Sequence, residues 1–225
     1  MGKDRWAITP DTPGYGSSDP PPQPVHIPDF AVAMIQLMDQ LGIDQFDVMG
    51  YHTGSMTSTE LARSFPNRIR KVVMISAPLF TQQELDSYRQ SWYGDVNSRG
   101  GEPPTFSTAV TELAGRHVAG QKTGWRNVGS DERYGEIMIE WLRSYSTEHW
   151  GHEAAFAYDL SVHLPHVKQP VLVLCPEDDL WVHTHRITPY LKTGRLHELP
   201  GWTHGAMDIH TVEMADIVRA FLDRD

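Results

Sequence analysis

The stretch Gly50-Tyr51-His52-Thr53-Gly54 stands between a short apolar segment and a helical pattern, and it decides how the rest of the chain is interpreted. A sharp strand-to-helix turn of sequence G-x-S-x-G presents a nucleophilic serine at its centre. Its glycines permit a tight turn because they carry no Cβ that would clash. In this chain histidine holds the central position. The sequence therefore predicts that the turn is kept, while its chemistry differs from that of a serine.

Strand and helix patterns alternate on both sides of this turn. The unbroken apolar character of residues 72–75 and 171–174 is typical of buried parallel strands. Apolar or alternating runs predict strands at residues 6–9, 46–49, 72–75, 171–174 and 195–199. Helical spacing of apolar residues predicts helices from Pro28 to Gly42 and over residues 56–65 and 211–222. Strands that alternate with helices imply an α/β fold, a parallel sheet flanked by helices.

The alternation stops in the middle of the chain. Residues 81–163 carry helical patterns interrupted by glycine-rich breaks. We interpret this segment as an inserted helical lid or cap, and residues 1–80 and 164–225 as the α/β core. A chain of 225 residues is long enough for one domain with such an insertion.

Charge and composition narrow the range of partners. The chain has 19 Lys and Arg against 29 Asp and Glu, a net charge of −10 with no offsetting basic stretch, so a nucleic acid or an anionic membrane is not expected. No apolar run is long enough to predict a membrane span. The single cysteine, Cys175, excludes an internal disulfide and suits a reducing compartment. We expect Cys175 to be a small buried side chain and the protein to be cytoplasmic.

Four segments, in this order and spacing, carry a resemblance to a known family. They are residues 8–19, the turn at residues 50–54, residues 170–179 and residues 199–205. Together they resemble the α/β-hydrolase family, whose catalytic triad runs nucleophile, acid, histidine along the chain. The resemblance implies an α/β-hydrolase-like sheet with an inserted lid, and it covers nearly the whole chain.

The resemblance also assigns roles to three side chains. His52 takes the position of the nucleophile, Asp179 matches the acid, and His204 matches the catalytic histidine. Asp178 stays a rival for the acid, because Pro176 stands where the family usually has a glycine and the turn can be shifted.

Neighbours of His52 are expected to support the site. The backbone N–H of Thr53 opens the following helix and would be one oxyanion donor. Tyr51 is expected to shape the substrate pocket. Ser55, one helical turn further on, is expected to cap or solvate the start of the helix.

The start of the chain departs from the family pattern. Family members usually carry further strands and a His-Gly loop before the segment that matches residues 8–19, and this loop gives a second oxyanion donor. Without those strands, the strand at residues 46–49 would have an edge with unpaired N–H and C=O groups. We therefore expect a homodimer or a larger homo-oligomer in which this edge is covered.

Three hypotheses for His52 follow from these residues. In the first, His52 and His204 hydrolyse an ester, with His52 as nucleophile or as the base that activates water. In the second, His52, His204 and Asp179 bind a metal ion, since two histidines and a carboxylate are a known ligand set. In the third, the site is catalytically idle and binds a small molecule or a partner.

The sequence favours the first hypothesis. We expect a hydrolase that acts on small carboxylic esters or lactones with no cofactor and no metal ion, using His52, Asp179 and His204. Its activity should be modest, because the loss of one oxyanion donor typically lowers the rate by ~10²–10³. The paired histidines at 149/152, 163/166 and 183/185 are expected to pack or to lie at the surface.

Overall fold

The computed structural model of the chain describes residues 1–2, 4–98, 105–123 and 128–224. Its centre is a parallel sheet in which the strands lie in chain order, β1-β2-β3-β4. The strands are β1 (Phe46–Tyr51), β2 (Ile69–Ile75), β3 (Val171–Pro176) and β4 (Gly194–Leu199). Every residue of β3 is buried, as expected for an inner strand of a sheet that is covered on both faces.

Helices cover both faces of this sheet. They are α1 (Ile27–Gln40), α2 (Thr53–Ser64), α3 (Gln82–Ser98), α4 (Phe106–Thr123), α5 (Asp131–Arg143), α6 (Glu148–Phe156), α7 (Leu160–His163), α8 (Trp181–His185), α9 (Ala206–Ile209) and α10 (Thr211–Leu222). Side chains of β2 alternate between two cores: Val72 and Met74 pack with α1 and α2, whereas Val73 and Ile75 pack with α9 and α10. The period of two in the strand therefore serves two helical layers.

The elements predicted for the core from Pro28 onward are confirmed with small changes in their ends. Helix α10 has the predicted bounds, and α1 begins one residue before Pro28, whose missing N–H is tolerated in the first turn. Gly42, with φ of 68°, follows the end of α1 as predicted. Strand β3 runs on to Pro176, which pairs with Leu199 of β4.

The predicted strand at residues 6–9 is wrong. Residues 6–13 contain no strand, and the side chain of Trp6 is 72% exposed. A strand persists only where its backbone groups find a ladder partner, and Pro10 and Pro13 remove two donors from this segment. The contact with β1 is instead made by a side chain, since Arg5 lies 3.5 Å from the carboxylate of Asp47.

Strand β1 is consequently the outer strand on its side of the sheet. It pairs with β2 on one edge, and within the described part of the chain no strand pairs with its other edge. Met49, in the middle of β1, is 47% exposed. The residues that precede the turn at residues 50–54 thus lie on an edge strand.

Helices α3 to α7 lie between β2 and β3, in the segment predicted as a lid. Parts of that segment, residues 99–104 and 124–127, lie outside the described residues. Arg186, after α8 of the core, binds both carboxylate oxygens of Glu84 in α3 at 2.6 and 2.9 Å. This bidentate ion pair ties α3 to the core.

None of the helices in the described ranges combines the length and the apolar character needed to cross a membrane.

Candidate active site

The turn between β1 and α2 has the backbone shape that the G-x-S-x-G pattern predicts. His52 stands at its tip with φ of 50° and ψ of −114°, a conformation that side chains with a Cβ rarely adopt. Gly50 is required here, because a Cβ at this residue would lie 1.9 Å from the carbonyl oxygen of Gly54. A Cβ at Gly54 would meet no atom within 4 Å. The steric requirement for glycine is therefore confined to the first glycine of the turn.

Ser55 helps to hold this turn and is not solvated as predicted. Its side chain is fully buried, and its hydroxyl is 3.1 Å from the carbonyl oxygen of Gly50 and 3.0 Å from that of Ile75. The backbone N–H of His52 also donates to the Ile75 carbonyl, at 3.0 Å. The expectation that Ser55 caps or solvates the start of the helix did not include this contact, because the sequence does not show that the first turn of α2 packs against the end of β2.

His204 and Asp179 meet above this turn. Asp179 follows β3 and His204 follows β4, so the carboxyl ends of two neighbouring parallel strands deliver them to the same edge of the sheet. Nδ1 of His204 lies 3.0 Å from Oδ1 of Asp179. A carboxylate at this distance favours the proton on Nδ1 and therefore the lone pair on Nε2.

The two histidine rings face each other. The centroids of the His52 and His204 rings are 5.0 Å apart, at an interplanar angle of 71°. The side chain of His52 is 26% exposed. The structure thus brings together all three side chains that the sequence analysis singled out as catalytic candidates.

Asp178 belongs to the same site, next to a different histidine. Its side chain is fully buried, and Oδ2 lies 3.5 Å from Nε2 of His52. The Ser76 hydroxyl donates to Oδ2 at 2.5 Å, and the Leu180 N–H donates to Oδ1 at 2.9 Å. Each aspartate therefore contacts a different histidine: Asp179 contacts His204, and Asp178 contacts His52.

Burial and nearby charges set the protonation of these groups. Burial lowers the pKa of His52, and the carboxylate of Asp178 offsets only part of that effect. Burial acts to raise the pKa of Asp179, but the hydrogen bond from His204 and the nearby histidines outweigh it, so this pKa is lowered. At neutral pH the site therefore holds a neutral His52 beside an ionised Asp179.

One atom in the site lacks a partner. Nε2 of His52 is shielded from solvent and makes no hydrogen bond to any described residue. Its separation of 3.5 Å from Oδ2 of Asp178 lies within ion-pair range, at the limit for a hydrogen bond. A buried polar atom without a hydrogen bond is costly, so a proton or ligand that bridges this gap would stabilise the site.

Tyr51 and Thr53 flank His52. The Tyr51 hydroxyl donates to the His204 carbonyl oxygen at 3.1 Å, and the centroid of its ring is 3.9 Å from that of His52. Tyr51 thus links the turn to the His204 loop. Thr53 is the first residue of α2, so its N–H has no acceptor within the helix and points out of its N-terminus.

Sequence reasoning missed Ser76 and the position of Asp178 beside His52. Ser76 follows the last residue of β2, with φ of 50°, and donates to Asp178. The only signal in the sequence was its position: Ser76 directly follows β2, the strand next to β1, and the carboxyl ends of neighbouring parallel strands lie at the same edge of the sheet. Nothing in the pattern of apolar residues marked it.

Among the described residues, one group of side chains has the composition of a metal centre. It consists of His52, Asp178, Asp179 and His204, and one nitrogen or oxygen from each lies within 4.8 Å of the others. The paired histidines of the sequence are not part of it. His183 and His185, for example, face separate carboxylates, Glu84 and Glu198.

Comparison with known proteins gives a family match and partial curated relatives. The sequence model of the family described as "alpha/beta hydrolase fold" matches residues 7–210. The chain is 38% identical to homoserine O-acetyltransferase of Thermus thermophilus over 135 residues, 56% of this chain and 34% of that protein. It is 27% identical to zearalenone hydrolase of Cladophialophora bantiana over 156 residues, 67% of this chain and 55% of that protein. The chain thus spans about a third to a half of the length of these relatives.

Solved structures share the fold over almost the whole chain. A hydrolase from Pseudomonas aeruginosa PA01 has a TM-score of 0.68 at 21% identity, and covers 95% of this chain and 78% of its own. The enol-lactonase from Burkholderia xenovorans LB400 has a TM-score of 0.64 at 21% identity, covering 95% and 79%. An esterase from Exiguobacterium antarcticum has a TM-score of 0.69 at 15% identity, covering 95% and 80%. The fold expected from the four sequence segments is confirmed.

Proposed function

Because the chain belongs to the α/β-hydrolase fold family, whose model matches residues 7–210, we propose that it hydrolyses small carboxylic esters or lactones with His52 in place of the usual serine. One observation carries the proposal: two histidine–aspartate pairs face each other at the nucleophile turn, with ring centroids 5.0 Å apart. Solved structures of the same fold include an enol-lactonase and an esterase, which supports this class of substrate.

His52 acts as the nucleophile, since it stands where the strained turn exposes a side chain. Its Nε2 is buried toward Asp178, so the exposed part of the ring belongs to other atoms and the attack comes from Nδ1. The new bond joins Nδ1 to the carbonyl carbon, and the bond to the alkoxide breaks. Asp178 stabilises the positive charge that develops on His52. The acylated ring then loses its Nε2 proton and the alkoxide gains one, which gives an acyl-imidazole and an alcohol.

His204 acts as the base in the second step. Its Nδ1–H is held by Asp179, so Nε2 accepts a proton from the water that attacks the acyl carbon. The bond between the acyl carbon and His52 breaks, the proton held by His204 passes to the departing His52 ring, and the carboxylic acid leaves. The N–H of Thr53 stabilises the oxyanion in both steps. In the variant without a covalent intermediate, His52 takes the proton from water directly.

The segment of residues 81–163 serves as the cap in this proposal. Its helix α3 is tied to the core by the Glu84–Arg186 ion pair. Burial first, and then the charges of Asp179 and Glu84, raise the pKa of Tyr88 in α3. Tyr88 also packs against Phe80 with ring centroids 5.1 Å apart, and in this proposal these rings contact an apolar group of the substrate.

We also propose that the protein is a homodimer or larger homo-oligomer that covers the outer edge of β1. Met49 is exposed on this strand, and no described strand pairs with its edge. Uncovered strand edges favour pairing with another chain.

Turnover of p-nitrophenyl esters with short acyl groups tests the proposed reaction. The purified protein should hydrolyse them, and rapid acid quenching followed by mass spectrometry should find the acyl group on the peptide that contains His52. Turnover without an acylated peptide would favour the water-activating variant. A folded protein with no turnover of esters or lactones would contradict the proposal and favour an idle, ligand-binding relative.

A further inference from the structure

The four side chains of the site form a donor set that the proposed hydrolysis does not fully use. One donor atom from each of His52, His204, Asp178 and Asp179 lies within 4.8 Å of the other three. In a tetrahedral zinc site, bonds of about 2.0–2.2 Å place neighbouring donors roughly 3.3 Å apart. Side-chain rotations that move each donor atom by roughly an ångström would therefore bring all four donors within bonding distance of one ion.

The chemistry of this set selects a class of ion. Two imidazole nitrogens and two carboxylate oxygens suit zinc and similar transition metals, whereas magnesium and calcium prefer oxygen donors and more of them. Two of the four ligand residues also have outer partners. The Ser76 hydroxyl and the Leu180 N–H hold Asp178, and Tyr51 bonds to the carbonyl of His204. Such partners fix ligands in place in metal centres.

Two further observations favour a cation at this site. Within the described ranges, neither Asp178 nor Asp179 has a lysine or arginine at ion-pair distance, although they are adjacent and Asp178 is fully buried. Nε2 of His52 is shielded from solvent and makes no hydrogen bond there. The buried carboxylate of Asp178 is hydrogen-bonded to neutral donors and the buried Nε2 of His52 to none of the described residues, so one divalent cation would compensate both.

We propose that His52, His204, Asp178 and Asp179 form a binding site for one zinc ion or a similar divalent transition metal. A zinc ion bound here coordinates the histidine nitrogens that the hydrolysis needs, so zinc inhibits the reaction. This inhibition, unlike the binding itself, rests on the proposed function.

Calorimetric titration with ZnCl₂ tests the binding directly, on full-length protein that has been treated with a chelator and exchanged into metal-free buffer. We expect one ion per chain, and an affinity lower in His204→Ala and Asp178→Asn by at least the roughly 10–100-fold that loss of an outer partner of a ligand costs. His52→Asn serves as the variant at the turn, because asparagine tolerates positive φ better than alanine. His185→Ala is the matched control, since it removes a histidine that faces a different carboxylate, Glu198, at 2.8 Å. This control should bind zinc like the wild type.

Other results would overturn the proposal. These are no saturable zinc binding, equal binding by the site variants with circular dichroism showing intact folds, or equal binding of magnesium, which would indicate a carboxylate patch alone. The two proposals fail separately. Zinc binding by a protein without esterase activity would leave the metal site standing, and chelator-resistant activity with no zinc binding would leave only the hydrolase.

Discussion

Substitution of Asp178 by asparagine tests the pairing that the sequence did not reveal. Asparagine preserves the shape of the side chain, and its oxygen can still accept the hydrogen bond from the Leu180 N–H at 2.9 Å. What is lost is the negative charge 3.5 Å from Nε2 of His52. Because that charge favours the imidazolium that forms during attack, the loss falls on the transition state.

The size of the effect follows from the contact. The 3.5 Å contact tightens into a hydrogen bond between charged groups as the imidazolium forms, and such a bond contributes about 1.5–3 kcal/mol. Since each 1.36 kcal/mol is a factor of ten in rate, kcat for a p-nitrophenyl ester should fall by roughly 10–150-fold. The pH profile should move as well. Asp178 raises the pKa of His52 against the effect of burial, so without it the pKa falls further and the acid limb of the profile shifts to lower pH.

Steady-state kinetics of chelator-treated enzyme between about pH 5 and 8, where histidine titrates, measure both effects. Glu198→Gln is the matched control, because it neutralises a carboxylate that faces His185, outside the site. It should leave both kcat and the acid limb unchanged. An Asp178→Asn variant that folds normally, yet keeps the wild-type kcat and pH profile, would refute the pairing of Asp178 with His52.

Three other predictions concern pH, the turn and assembly. In chelator-treated wild type, the rate should rise with pH along an acid limb that lies below the ordinary histidine pKa of about 6.5, because burial lowers the pKa of His52 and only the neutral ring attacks; a rate independent of pH through that range would contradict this. Gly50→Ala should lower the free energy of unfolding by about 1–3 kcal/mol or more, because its Cβ would meet the Gly54 carbonyl oxygen at 1.9 Å. Gly54→Ala, where a Cβ meets nothing within 4 Å, should be neutral or stabilising by up to about 1 kcal/mol, and equal urea midpoints for the two variants would show that the turn is not tight. Light scattering at micromolar concentration should give at least twice the chain mass of 25.5 kDa, whereas a monomer would mean that the edge of β1 needs no second chain.

Much of the core could be predicted because its signals are local. The apolar run before Gly50, the helical spacing after it and the apolar run at residues 171–174 each depend on neighbours within a few residues. The resemblance to the α/β-hydrolase family then implied that Asp179 and His204 belong to one site. The structure brings both to one edge of the sheet, with Nδ1 and Oδ1 3.0 Å apart.

What could not be predicted depends on contacts between distant segments. Asp178 and Asp179 are adjacent and identical in type, and only the course of the chain after β3 sends one to His52 and the other to His204. The apolar character of residues 6–9 resembled a strand, but a strand needs a ladder partner that the sequence of this segment alone does not indicate. Ser55 was misplaced for the same kind of reason, since its acceptors lie at the ends of two different strands.

The central claim is that His52 performs the chemistry. Turnover of a p-nitrophenyl ester by His52→Asn, compared with wild type and with His185→Ala, tests it most directly. If His52 attacks the carbonyl or activates water, kcat/KM of His52→Asn should fall by about 10²–10⁴-fold, while His185→Ala keeps wild-type activity. Circular dichroism and thermal unfolding establish that both variants fold. A folded His52→Asn enzyme that turns over the ester at the wild-type rate would show that His52 neither attacks the carbonyl nor activates water.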